Sequence, residues 1–220
     1  MVNVHRRGQR IVTEDTGASA PKSDYSATLW AEKPEAPSRL MAVLLILLIK
    51  FILAVPHVIV LTFYWLAALI VAWIGYWAVL LTGNLPPGFH SFVLGYLRWN
   101  WRVNAWLCGI VDACPPFATE ADYPADAGCA LPEAGNRLLA AARILNPIIV
   151  ILFIPHLIAL WVMAIVATLV FLITPWAVIF TGSFPQFAFD ILVGVARWQH
   201  RVTCFQLGLV EQYPPFSMSE

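Results

Sequence analysis

Residues 40–81 read LMAVLLILLIKFILAVPHVIVLTFYWLAALIVAWIGYWAVLL. Apart from tyrosines, Lys50 and His57 are the only ionisable side chains in this stretch. As one helix, its 42 residues would be about 63 Å long, twice the ~30 Å hydrocarbon core of a bilayer. A fold-back is therefore expected. Pro56 is the natural place for it, because proline removes a backbone donor and biases the preceding residue away from helix. The reading is a tight hairpin of two membrane helices, 40–55 and 57–82, with Pro56-His57 at its tip.

Composition agrees with a bilayer setting. The 220 residues are 60% hydrophobic and only 12% charged, and mean hydropathy is +0.74. A soluble domain carries about twice that charge. Thirteen basic and thirteen acidic residues give no net charge, so nothing attracts nucleic acid. Residues 1–33 form a polar tail of mixed charge without the apolar core of a removable signal peptide.

Downstream of the apolar run, Thr82-Gly83-Asn84-Leu85-Pro86-Pro87-Gly88 signals a turn. Residues 89–113 then carry Arg98 and Arg102 with Gly95, Ala105 and Asp112 on one helical stripe, and aromatics elsewhere. A Trp- and Arg-rich amphipathic helix is expected at the headgroup level.

The whole pattern occurs twice. Pro34-Glu35-Ala36 with Arg39-Leu40 returns 98 residues later as Pro132-Glu133-Ala134 with Arg137-Leu138. From Pro56–Phe117 to Pro155–Phe216, offset by 99, 23 of 62 positions are identical. The shared residues include Pro56-His57 and Pro155-His156, Thr82-Gly83 and Thr181-Gly182, Arg98-Trp99 and Arg197-Trp198, Arg102-Val103 and Arg201-Val202, and Pro115-Pro116-Phe117 and Pro214-Pro215-Phe216. Hydrophobic composition alone does not reproduce such spaced proline, glycine, arginine and tryptophan. The expected organisation is a tail (1–33), repeat 1 (34–117), an acidic linker (118–131), repeat 2 (132–216) and a short C-terminal tail (217–220).

The order arginine, apolar run, Pro-His, long apolar run, Thr-Gly, Arg-Trp-x-x-Arg-Val and Pro-Pro-Phe resembles the bacterial membrane family known as domain of unknown function 4389. Both copies fit. Copy 2 keeps Glu211-Gln212-Tyr213 before its Pro-Pro-Phe, as that family often does, whereas copy 1 has Asp112-Ala113-Cys114. The resemblance implies a protein of the bacterial inner membrane and supplies no activity.

The expected fold is an all-α integral membrane protein, a tandem duplication of a two-helix transmembrane hairpin plus an amphipathic interfacial helix. That makes four transmembrane helices, with both termini on the cytoplasmic side by the positive-inside rule. The alternative is six, with the amphipathic helices also spanning and copy 2 inverted. Burying two arginines per helix at the bilayer centre, at about 2.5–3.5 kcal/mol each, weighs against six.

His57 and His156 occupy matched positions, and the sharp reading is a pair of imidazoles for a metal or haem iron. The plainer reading, that each histidine satisfies backbone freed by the proline, is favoured, so no cofactor is expected. Arg98, Trp99, Arg102, Arg197, Trp198 and Arg201 are the better candidates, for contacts with anionic lipid headgroups or partner subunits. Lys50 is expected to snorkel to an interface, since copy 2 has Ile148 there. Cys108, Cys114, Cys129 and Cys204 lack the spacing of a zinc site. With no catalytic constellation legible, the first reading is a non-catalytic accessory or structural subunit of a larger membrane complex, respiratory or cell-envelope. A small transporter or channel between the repeats, and a lipid-binding factor, are the alternatives. Expected partners are membrane lipids and other integral membrane subunits.

Overall fold

The computed structural model describes residues 25–219 except 146, with backbone alone for 147–150. Among the described residues there are six helices and a two-stranded ribbon, in the order β1 (Ala27–Ala31), α1 (Arg39–Ile46), α2 (Ile49–Thr82), α3 (Pro87–Leu107), β2 (Ala125–Cys129), α4 (Arg137–Ile144), α5 (Pro147–Thr181) and α6 (Gln186–Gln206).

The apolar run does not reverse at Pro56. Helix α2 passes through it and is 34 residues long in all, about 51 Å. One proline leaves one carbonyl without its helical donor, whereas a reversal in an apolar setting would strip several backbone groups of partners. The break falls earlier. Leu48 takes φ 60°, in the left-handed region, and separates the eight-residue α1 from α2. In copy 2, Pro147 occupies the first position of α5, where its missing N–H costs nothing. Helix α5 then runs through both Pro155 and Pro175. Among the described residues two helices, α2 and the 151–181 stretch of α5, are thus long and apolar enough to cross a membrane, where the hairpin reading expected four.

Both long helices end alike. Gly83 and Gly182 adopt φ 82° and 71°, and the Gly83 N–H closes on the Val79 carbonyl at 2.8 Å. A glycine tolerates that conformation without steric cost. After four residues, Pro87 opens α3, which folds back along α2; α6 does the same along α5. The short helices are capped equivalently, by Ser38 Oγ accepting from the Met41 N–H and by Asn136 Oδ1 accepting from the Leu139 N–H.

The ribbon corrects the all-α expectation. β1 and β2 pair antiparallel, with Leu29 opposite Ala127 at the centre of the register. The strands are themselves repeat equivalents, 98 residues apart, so the central pair lies on a pseudo-two-fold axis. The repeat therefore starts upstream of Pro34. Its sequence trace is Tyr25-x-Ala27, matched by Tyr123-x-Ala125.

The copies interlock. β1 of copy 1 packs on α6 of copy 2, and β2 on α3. Likewise α1 packs on α5, and α4 on α2. Arg39 lies against Gly182 and Arg137 against Gly83, so each copy sets a cation at the carboxyl end of the other's long helix. Tyr25 donates to the Gln212 carbonyl at 2.8 Å, and Tyr123 to that of Ala113 at 2.7 Å.

Candidate functional site

Three separated motifs of each copy meet at one place. The Pro-His of α2, the Arg-Trp of α3 and the Pro-Pro-Phe after α3 bring His57, Trp99 and Phe117 together. The Trp99 indole N–H donates to His57 Nδ1 at 3.2 Å, and Phe117 stacks on the imidazole at 3.8 Å between centroids, tilted 13°. Copy 2 repeats this closely: Trp198 donates to His156 Nδ1 at 3.1 Å, and Phe216 stacks at 3.8 Å and 9°. An indole donating to Nδ1 makes that nitrogen the acceptor and puts the imidazole proton on Nε2. Each histidine is enclosed within its own copy. Among the described residues no contact joins His57 to His156, and no group of three His, Cys, Asp or Glu is placed to hold a metal ion.

The arginines expected at lipid headgroups are turned inward or onto the ribbon. Arg102 is 1% exposed and donates to the carbonyls of Ala118, Thr119 and Ala121 and to Asp126 Oδ1, the last at 3.0 Å. Arg201, 2% exposed, donates to the Ser219 carbonyl at 2.7 Å and sits over the Tyr25 ring. These two side chains hold the loop that follows each Pro-Pro-Phe. A guanidinium offers five donors in a fixed fork, and a loop returning through apolar surroundings has carbonyls to satisfy. Arg98 Nε reaches the Ala127 carbonyl at 2.9 Å, and Arg197 Nε the Leu29 carbonyl at 3.1 Å. Leu29 and Ala127 form the non-hydrogen-bonded central pair, so their carbonyls point outward from the ribbon, and the two arginines receive them. Trp99 and Trp198 are also buried, against their histidines. Of the six lipid-contact candidates, Arg98 and Arg197 keep part of their surface exposed. Arg98 also lies 3.8 Å from Glu120 and 3.9 Å from Asp126.

Lys50 does not reach an interface. Its ammonium is fully buried, donates to the Trp106 carbonyl and lies over the Trp106 ring. Copy 2 has a different cation for the matching place. Arg143 of α4, also buried, donates to the Val210 carbonyl at 2.8 Å and pairs with Glu211 at 3.4 Å. The sequence reading missed this because the cation comes from position 50 in one copy and, in the other, from the equivalent of position 45.

One group breaks the symmetry. Cys204 Sγ lies 3.4 Å from His200 Nε2, which also meets the Gly128 carbonyl at 3.1 Å. Cys129 Sγ donates to the Leu209 carbonyl at 3.5 Å, and the neighbouring Cys204 thiol holds its pKa below the ordinary thiol value. Burial drives Cys204 up and His200 down to about 4. All four cysteines are thiols rather than disulfides.

The recurring geometry is that of one sequence module folded twice, and the comparison with known families bears on the same two stretches. Residues 45–119 and 148–218 each match the family described as Domain of unknown function (DUF4389). The chain belongs to that family. No curated protein and no solved structure gives a significant match. Each DUF4389 match begins after the ribbon strand of its copy, so the interlocking strands lie outside the region that defines the family.

Proposed function

We propose that this DUF4389 chain is a non-catalytic accessory subunit of a bacterial inner-membrane complex, of the respiratory or cell-envelope kind. One observation carries the reading: the distribution of unpartnered apolar surface. The most apolar windows of α2 and α5 are only 22% and 11% buried. Phe63, Trp73, Trp161 and Phe180 stand 53–77% exposed along them. That surface is far larger than a soluble monomer leaves open, and it is rich in the aromatics that anchor protein interfaces.

The motif chemistry supports the same reading from the other side. His57 and His156 accept at Nδ1 from the Trp99 and Trp198 indoles, and Arg102 and Arg201 donate to the chain's own returning loops. They hold a shape and aim no nucleophile or acid–base pair at an open site. In this reading α2 and α5 are embedded, and the ribbon with Arg98 and Arg197 faces cytoplasmic headgroups, in keeping with the positive-inside rule.

Purification of tagged full-length protein in mild detergent, followed by mass spectrometry, tests the proposal. Stoichiometric integral membrane partners are expected. Recovery solely as a partner-free monomer or homo-oligomer contradicts it.

A further inference from the structure

A cleft of about 590 Å³ lies between the two copies. Its walls come from equivalent positions of each copy. Asn100 and Asn104 of α3 face Gln199 and Thr203 of α6, each pair 99 residues apart. Trp65 of α2 and Phe171 of α5 close its sides, and Leu29, at the centre of the ribbon, contributes to its lining. The cleft is therefore a feature of the duplication, built where the pseudo-two-fold axis passes.

Its chemistry is specific in what it offers. No Asp, Glu, Lys or Arg lines it. The hydroxyls of Thr203 and Thr168 donate to carbonyls of their own helices, at 2.8 and 2.7 Å, so they face the cleft as acceptors. Asn104 uses one amide hydrogen on the Asn100 carbonyl, at 2.7 Å. The side-chain amides of Asn100, Gln199 and Gln206 have no hydrogen bond among the described residues. Cys108 and His200 also line it, and burial keeps the His200 ring neutral, so the cleft offers uncharged donors and acceptors on largely apolar and aromatic walls. Binding pockets for small amphiphiles have this volume and this lining. A charged head would lose its hydration there without meeting a counter-charge. A wholly apolar occupant would leave the amides unsatisfied.

We propose that this cleft binds an uncharged membrane lipid whose polar end presents carbonyl or hydroxyl oxygens, the chemistry shared by a diacylglycerol and a quinone. The ligand's oxygens meet the amides of α3 and α6, and its apolar body lies between Trp65 and Phe171. This does not depend on the accessory-subunit reading. A ligand can occupy the cleft whether or not a second protein covers α2 and α5.

The test uses full-length protein in phosphatidylcholine nanodiscs with a diacylglycerol that carries a diazirine near its head. The expected result is saturable labelling in peptides containing residues 96–104 and 195–203. Competition with unlabelled diacylglycerol and with decylubiquinone separates the two sources, the natural class competing at the lower concentration. Phosphatidylglycerol is expected not to compete. Ala167→Trp, which fills the cleft, should lower labelling at least tenfold. The double variant Asn100→Leu with Gln199→Leu keeps the volume, removes the amides and should lower labelling severalfold. Thermal midpoints confirm that each variant is folded, and the double variant serves if Ala167→Trp is not. Labelling spread over the outer faces of α2 and α5 and unchanged in the folded variants would overturn the proposal, as would equal competition by phosphatidylglycerol.

Discussion

At the residue scale, His57 explains why three distant motifs recur together. Its imidazole is 2% exposed and receives its hydrogen bond from Trp99. Replacing Trp99 with Phe retains the ring contact but leaves Nδ1 buried without a donor. The expected cost is about 1–3 kcal/mol of stability, the penalty for an unsatisfied buried acceptor, read from chemical denaturation in detergent. Trp198→Phe should cost a similar amount. A loss below about 0.5 kcal/mol in both would show that the pair carries no weight.

His200 gives a second test at this scale. Burial lowers its pKa to about 4, with Arg201 acting the same way, and with the Gly128 carbonyl and Asp126 opposing. The unfolded value is about 6.5. Folding thus favours the neutral ring. Stability is intact above pH 6.5 and falls as the pH drops towards 4, by about 3 kcal/mol in all if this group acts alone. His200→Gln keeps a donor near the Gly128 carbonyl and should flatten the stability profile between pH 6.5 and 5. An unchanged slope in that window contradicts the assignment.

At the scale of elements, the ribbon register makes a direct prediction. Ala27 and Cys129 are opposite one another in a non-hydrogen-bonded pair, where Cα atoms lie about 4.5 Å apart and side chains share a face. Ala27→Cys should form a disulfide with Cys129 under mild oxidation, seen as linkage of the two peptides after proteolysis. Thr28→Cys, pointing to the other face, should not. Equal linkage in both variants would refute the register.

The buried cations offer a test by transplantation. Lys50→Ile removes the copy 1 ammonium beside the Trp106 carbonyl and should destabilise the protein by about 1–3 kcal/mol. Adding Leu45→Arg, the counterpart of Arg143, should recover part of that loss, because Leu45 lies against Gly109 as Arg143 lies against Gly208. A further loss on adding Leu45→Arg would show that the two sites are not equivalent.

These elements also show what sequence reading reaches. Spaced Pro, Gly, Arg and Trp revealed the duplication because each has a positional demand: a turn, a cap, a fork of donors. Pro56 misled because a proline breaks a helix only when leaving the helix costs less than one lost hydrogen bond, and in an apolar run it does not. Arg102 and Arg201 misled because an amphipathic pattern marks a polar stripe without saying whether water, lipid or a returning loop meets it. The ribbon was missed because the equivalent five-residue strands, ATLWA and ADAGC, share only their first alanine. Their pairing is a long-range contact that no local pattern encodes.

At the scale of the molecule, the account rests on two interlocked copies, each with one unbroken apolar helix in place of a hairpin. Electron-spin distances between nitroxides at Leu47→Cys and Asn84→Cys, with the four native cysteines replaced by alanine, test this most directly. Both sites are exposed, and they bracket the 34 residues of α2. A continuous helix predicts a single distance of about 50–60 Å, from 1.5 Å of rise per residue with allowance for the labels. A distance under about 30 Å, as a reversal at Pro56 would produce, contradicts it.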